Sequence, residues 1–264
     1  MPDIREYWNN RAEQLGQAKR ATTNDVWMRE LEIDTLCDKI EALGLTDGAA
    51  ILDAGCGDGY SSIRIAQRFE RLKVHGLDYS ENMISLAEAQ LAEMPDLAGR
   101  VSFAVGDATR MGDDLAGRKF SVVTTMRCLI NQETFEKQKL VLKQIANLLT
   151  KGGWYFGAEN FLSGQKNLNE QRRAMQLEEI AILWHNLFFD EAELKTALDE
   201  TGFANIEFGN FSSAYYYATR VIYSAMCKEV GEQPDYNHPI HRLAVGLPPM
   251  GNFSPIKLIS AQLK

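Results

Sequence analysis

Clustered cysteines are missing from this sequence. Its 264 residues hold four, Cys37, Cys56, Cys128 and Cys227, with no CxxC pair and no zinc-like spacing. That spacing excludes a disulfide framework and the thiolate clusters of iron–sulfur or radical chemistry, and leaves reduced structural thiols. Long hydrophobic runs are missing too, and none approaches the ~20 residues needed to cross a bilayer. The opening stretch "MPDIREYWNN" lacks the apolar core of a secretion signal, so a cytoplasmic location is expected. Positive charge is in deficit: Lys+Arg 28 against Asp+Glu 36 gives −8. Binding a phosphate backbone requires clustered cations, so nucleic acid is a disfavoured partner, although a local Arg can still hold a small anion. Internal repeats and low-complexity segments are absent.

What remains is a globular composition, 45% hydrophobic and 24% charged, on a chain long enough for one elaborated α/β domain. Residues 1–48 read as an N-terminal helical cap. In "MRELEIDTLCDKIEALG", Leu31, Leu36, Ile40 and Leu43 share one helical side and Gly44 ends the helix. From residue 49 short apolar runs alternate with helical patterns. "AAILDAG", "KVHGLD", "VSFAVGD", "FSVVTTM" and "GGWYFGAEN" read as strands. Helices are expected at "SSIRIAQRF", "SENMISLAEAQLAEM" with Ser80 as N-cap, and "FEKQKLVLKQIANLLTKGG". This alternation means parallel βαβ units. A helix capped at Asp190 follows, then strands at "ANIEFGNF" and "SPIKLISAQLK". The segments 161–189 and 212–252 are too long for plain connections and read as insertions on the scaffold of 49–264.

The first strand runs into "DAGCGDGYSS". A dinucleotide fingerprint, G-x-G-x-x-G, would place its third glycine where Tyr60 stands. The pattern present is D-x-G-x-G-x-G, with Asp53, Gly55, Gly57 and Gly59. It resembles motif I of the class I S-adenosylmethionine (SAM)-dependent methyltransferases, over roughly residues 49–160, and the downstream "GAENFLSGQKNLNEQRR" and "WHNLFFD" resemble segments of their small-molecule branch. The resemblance implies a Rossmann-like α/β fold, a seven-stranded mostly parallel sheet with helices on both faces and the last strand antiparallel. It implies SAM as cofactor, leaving S-adenosylhomocysteine (SAH) as product, and no metal. Glycines there let backbone approach the amino-acid part of SAM.

By the same resemblance Asp53 anchors the SAM ammonium region, directly or through water. Asp78, ending the second strand, accepts from the ribose hydroxyls, with Tyr79 beside it. Asp107, ending the third, faces the adenine amino group, with the Ala108 N–H reaching a ring nitrogen. Each acid alone could be a helix N-cap; their order at successive strand ends is the more specific signal. NAD competes less well, because Tyr79 stands where an NADP enzyme would want Arg.

The acceptor is harder to read. After the fourth strand the sequence is "TTMRCLINQ", without the N/D-P-P-Y/F of amide or adenine methylation and without an acidic metal cluster. Arg127 suits a fork for a carboxylate belonging to SAM or to the substrate, or a surface pair with an acid. His185, and second Glu159, are candidates to take a proton from the acceptor; a packed histidine and a paired carboxylate are the plain alternatives. Tyr7, Trp184, Tyr215 and Tyr216 are candidate substrate-binding residues, the tyrosines of 212–252 as a lid or as ordinary helix packing. Arg172 and Arg173 either bind an anion or solvate a helix. His238 and His241, separated by Pro239 and Ile240, are not expected to hold metal. The expectation is O-methylation of a small-molecule hydroxyl, a sugar, polysaccharide precursor or natural product, ahead of N-methylation of an amine. A catalytically silent SAM-binding scaffold, forming a homodimer through 212–252, stays open.

Overall fold

The computed structural model describes residues 4–15 and 23–264. Helix α1 spans Ile4–Leu15 and α2 spans Val26–Ala42. The core follows as β1 (Ala50–Ala54), α3 (Tyr60–Arg68), β2 (Lys73–Asp78), α4 (Glu81–Ala92), β3 (Val101–Val105), α5 (Met111–Asp114), β4 (Phe120–Met126), α6 (Phe135–Leu148) and β5 (Leu149–Asn160). Then come α7 (Leu162–Ala174), α8 (Glu191–Glu200), β6 (Phe203–Gly209), α9 (Ser213–Tyr216), a π-helical stretch (Tyr217–Ile222), α10 (Tyr223–Glu229), α11 (Pro239–Ala244) and β7 (Ile256–Leu263).

The helices start where short polar side chains can satisfy first-turn N–H groups. Asp25 accepts from the Met28 N–H at 3.0 Å, and Ser80 and Thr134 accept from Met83 and Lys137 at 3.2 Å. Asp190 accepts from the Ala192 and Glu193 N–H groups.

One sheet holds all seven strands in the order β3-β2-β1-β4-β5-β7-β6. Strands β1 to β5 are parallel, and β7 is antiparallel to both neighbours. Both faces are covered, so adjacent residues of one strand enter different cores. Ile51, Val122, Phe156 and Leu258 pack under α2 and α3, whereas Leu52, Val123, Tyr155 and Ile259 pack under α6 and α8. This is the Rossmann-like arrangement that the family resemblance implies, built on the parallel βαβ units expected from the alternating pattern. The strand order reverses between β1 and β4, which opens a crevice beyond their C-terminal ends. No helix among the described residues is long and apolar enough to cross a membrane.

Three local features differ from expectation. The polar stretch after Asn160 is helix α7, whose few apolar residues give it a weak periodic signal. Its buried Gln165 and Asn169 use their amides instead. Both donate to the Ile180 carbonyl, at 2.6 and 3.1 Å, and Asn169 Oδ1 accepts the Ile180 N–H at 3.0 Å. Secondly, the tyrosine-rich helix is interrupted by one widened π segment. Thirdly, the buried strip of α2 includes Arg29 and Glu32 beside Ile33, Leu36 and Ile40, while Leu31 and Leu43 are only partly covered.

Helix α7 approaches the chain before β7 so closely that a Cβ on Gly164 would lie 1.8 Å from the Ser254 carbonyl oxygen. Backbone on both sides cannot yield as a side chain would. Gly164→Ala should therefore lower the unfolding free energy by about 1–3 kcal/mol, as overpacking does, and an unchanged urea midpoint would contradict this packing.

Candidate active site

A cavity of about 670 Å³ lies beyond the C-terminal ends of β1, β2 and β4, and α1, α2, the 180–188 segment and the π stretch contribute to its walls. Its first lobe is built on the glycine turn. Gly55, Gly57 and Gly59 have φ of 74°, 53° and 76°, the left-handed region that glycine enters without strain. At Gly55 a Cβ would also meet Cys128 Sγ at 2.5 Å, so the turn can run against the end of β4 only as glycine.

Asp78, Tyr79, Asp107 and Ala108 line this lobe together with Leu77 and Met83. Asp78 accepts one N–H on each oxygen, Gly57 on Oδ2 and Ser80 on Oδ1, both at 2.9 Å. Each carboxylate oxygen has a further lone pair to offer. Burial pushes this carboxyl up to about 6, while the two backbone donors pull it down. Asp107 Oδ1 accepts the Thr109 N–H and hydroxyl, both at 2.8 Å. The Tyr79 carbonyl accepts from Arg5 Nε at 3.0 Å, and Asn9 Oδ1 accepts the Ser80 hydroxyl at 2.6 Å, which ties α1 across the lobe. An acidic acceptor beside an apolar slot and a glycine turn fits a nucleoside with an attached amino acid. When bound, SAM supplies an electrophilic methyl on its sulfonium.

Asp53 sits behind the turn, away from the cavity wall. Its carboxylate accepts from Ser61 and Ser62 at 2.6 and 2.7 Å and from Thr124 at 3.1 Å, joining β1, α3 and β4. Burial raises its pKa against those three donors. In this geometry Asp53 acts on a ligand only through the groups that it orders.

The second lobe carries Tyr7, Arg127, Asn131, Asn160, His185, Tyr216 and Arg220 among apolar residues such as Met126, Ile130, Leu168 and Phe188. His185 is held because the neighbouring chain bonds to the β4 exit, Leu187 N–H donating to Ile130 O at 2.7 Å. Tyr7 covers its ring at 4.7 Å, and Trp8 lies edge-on at 6.0 Å. Burial, and secondarily Arg11, lowers its pKa below the usual imidazole value. Among the described residues its buried Nδ1 has no hydrogen-bond partner, and the same holds for Asn131 Oδ1 and Asn160 Oδ1. Arg127 occupies the left-handed region at φ 53°, unusual for a non-glycine residue. Its guanidinium lies 3.2 Å from the buried Glu32.

Like Asp53, the expected site residues Glu159, Trp184 and Tyr215 lie off the cavity wall. Glu159 is fully buried, and its Oε1 accepts the Thr125 hydroxyl at 2.8 Å and the N–H groups of Cys128 and Leu129, both at 3.1 Å. Oε2 accepts the Ile130 N–H at 3.3 Å. Burial pushes this carboxyl up to about 7, yet its place is to close the backbone turn after β4, and it does not reach the cavity. Trp184 is 54% exposed and outside the cavity wall, its ring set edge-on behind those of Tyr7 and His185. Tyr215 is buried away from the cavity, donating to Asp25 Oδ1 at 2.6 Å beside His241 Nδ1 at 3.0 Å. Arg172 donates to the Arg220 carbonyl and Arg173 pairs with Glu179, so neither is an open anion site. Among the described residues no cluster of His, Cys, Asp and Glu could hold a metal ion.

Sequence reading missed the charged strip of α2. Asp25, Arg29 and Glu32 share one helical face and pair with Arg220, Asp58 and Arg127 respectively, each from a different element. Their i, i+4, i+7 spacing was visible, but charge at such spacing ordinarily marks a solvated face.

Residues 45–202 match the family described as a methyltransferase domain. Over 174 residues the chain is 30% identical to the O-methyltransferase rstn1 of Aspergillus nomiae, an alignment covering 64% of this chain and 70% of that protein. It is 24% identical over 247 residues to the biotin biosynthesis bifunctional protein BioHC of Teredinibacter turnerae, covering 86% of this chain but 41% of that relative's length. The SAH-bound magnesium protoporphyrin IX methyltransferase of Synechocystis PCC 6803 superposes with a TM-score of 0.63 at 17% identity, covering 99% of this chain and 98% of that one. At that identity the likeness speaks for the fold.

Hydroxyl donors from a ligand need Asp78 ionised. SAM affinity should therefore hold above pH 6 and weaken as pH falls through about 6, the apo value of this carboxyl. Calorimetry across pH 5–8 checks it: Asp78→Asn should weaken binding more than tenfold at pH 7 and flatten the profile. A wild-type affinity independent of pH would remove Asp78 from the ribose site.

Proposed function

The chain belongs to the class I SAM-dependent methyltransferases, and on that premise we propose that it transfers the methyl group to a hydroxyl of a small molecule, with His185 as general base. The observation that carries this reading is the buried, unpartnered Nδ1 of His185 on the cavity wall. A buried polar atom without a partner is a costly arrangement in a folded chain, and a ligand donor is the simplest relief. Its lowered pKa keeps the ring neutral at physiological pH, the form that accepts a proton.

Transfer is an in-line displacement in which the acceptor O–C bond forms as the C–S bond breaks. Positioning and exclusion of water supply most of the rate. Here Tyr7 and Trp8 hold the imidazole plane, so that Nδ1 can take the hydroxyl proton while Nε2 keeps its hydrogen. Asn131 and Asn160 offer oxygens that can orient further hydroxyls of the acceptor. Helix α1 bonds to Tyr79 and Ser80 on the donor side and stacks on His185 on the acceptor side, which supports a cap role for the N-terminal segment and for 161–189. The lobe belongs to a half-open cavity of about 670 Å³, a size that suits a small molecule.

His185→Gln should reduce kcat by about 10²–10⁴, the usual range for loss of a general base, with SAM affinity within about twofold. Since a base works only when neutral, wild-type kcat/KM should persist as pH falls through the usual imidazole range and decline only on the acid side of it. Unaltered turnover in the variant, measured by SAH release with a hydroxylated-metabolite panel, would rule His185 out.

A further inference from the structure

Glu32 is fully buried on α2, and neither of its carboxylate oxygens has a hydrogen-bond partner among the described residues. The charged neighbour that favours its ionised form most is Arg127 from the end of β4, 3.2 Å away. The other groups facing it are Asp25 and Arg29 on its own helix and Tyr216 of α9. Of these, Arg29 is already paired with Asp58, and Asp25 with Arg220. An ion without hydrogen bonds is poorly compensated for its lost hydration. Burial accordingly raises Glu32 to about 7, chiefly through desolvation, with Arg127 pulling the other way.

Arg127 is equally under-used. Its Nε is buried without a partner, and its side chain is 25% exposed at the cavity wall. A guanidinium has five N–H donors in a planar fork, suited to two parallel bonds with a carboxylate. Arg127 lines the cavity from a left-handed backbone conformation, which persists only where its surroundings hold it. The Arg127 N–H donates to Ala158 O at 2.9 Å, and Asn131 Nδ2 donates to Arg127 O at 2.6 Å, which supplies that hold.

We propose that the acceptor carries a carboxylate that replaces Glu32 as the counter-ion of Arg127, Glu32 taking up one proton from solvent as the anion docks. Charge is conserved in the exchange, because one monoanion leaves the ion pair as another enters it. A carboxylate meets this condition and a phosphate dianion does not. The remaining walls, Met126, Tyr216 and Tyr7, suit a flat apolar body bearing that group, and His185 then meets its hydroxyl. Glu32 is a positioning residue in this scheme, acting through Arg127.

The inference rests on this lobe being the acceptor site, but its test reads binding and needs no turnover. The SAH-saturated protein is titrated calorimetrically with 4-hydroxybenzoate, 4-hydroxyphenylacetate and 4-hydroxycinnamate, and with their neutral amides. At pH 7 at least one acid should bind tenfold or more tighter than its amide. That affinity should weaken about tenfold per pH unit above 7, since only protein with protonated Glu32 accepts the anion. Glu32→Gln should flatten the profile and bind the acid tighter at pH 8.5, while Arg127→Gln should erase the preference and keep SAH affinity within threefold. The wild-type comparison of acid with amide, and its pH slope, stand without either variant. No acid preferred over its amide, a preference independent of pH, or a tenfold loss of SAH affinity in Arg127→Gln would each overturn the proposal, the last by giving Arg127 to the donor's own carboxylate. A carboxylate preference without methylation would leave this inference standing and sink the hydroxyl-transfer reading.

Discussion

The site depends on helix α2 placing three charges inside the protein. Buried charges survive only when paired, because the lost hydration is not recovered otherwise. Asp25, Arg29 and Glu32 therefore have to reach partners on the π stretch, on the glycine turn and at the end of β4. Those elements belong to three different parts of the chain. Pairing them fixes α2 across the crevice and sets the relation of the donor lobe to the acceptor lobe. The three pairs are not equivalent. Asp25 also accepts the Met28 N–H and the Tyr215 hydroxyl, and so is well satisfied, whereas Glu32 has Arg127 and no hydrogen bond.

Two carboxylates show how similar residues divide between scaffold and chemistry. Asp78 and Glu159 both end strands, both are buried, and burial raises both. Asp78 accepts two backbone N–H groups and keeps an open aspect to the cavity. Glu159 collects a hydroxyl and three backbone N–H groups and has none. Four donors converging on one carboxylate stabilise the turn after β4, on which Arg127 and Ile130 depend. Donor count and direction separate the two roles, and neither is encoded by residue type.

Gly55, Gly57, Asp78 and Asp107, singled out from the sequence, all line the cavity. Glycines at alternate positions after an apolar run, an acid ending β2 and another just past β3 are local patterns that pick out one end of the sheet. The acceptor lobe was legible only in part. His185 and Tyr7 lie on the cavity wall, but Trp184 packs edge-on outside them and Tyr215 is taken by Asp25 and His241, contacts that depend on distant parts of the chain. Helix α7 escaped notice because it is held by amide bonds to the Ile180 backbone, which leave no periodic apolar signal.

By itself the sequence determined the α/β class, the order of strands and helices and the glycine turn after the first strand, since these follow from short-range periodicity and from φ values that only glycine adopts freely. Tertiary structure alone decided that Glu32 faces Arg127, that Glu159 serves the backbone and that His185 Nδ1 is buried without a hydrogen-bond partner among the described residues. Those outcomes depend on which distant groups meet in a desolvated space, and the energy of a buried polar atom is set by partners far away in the chain.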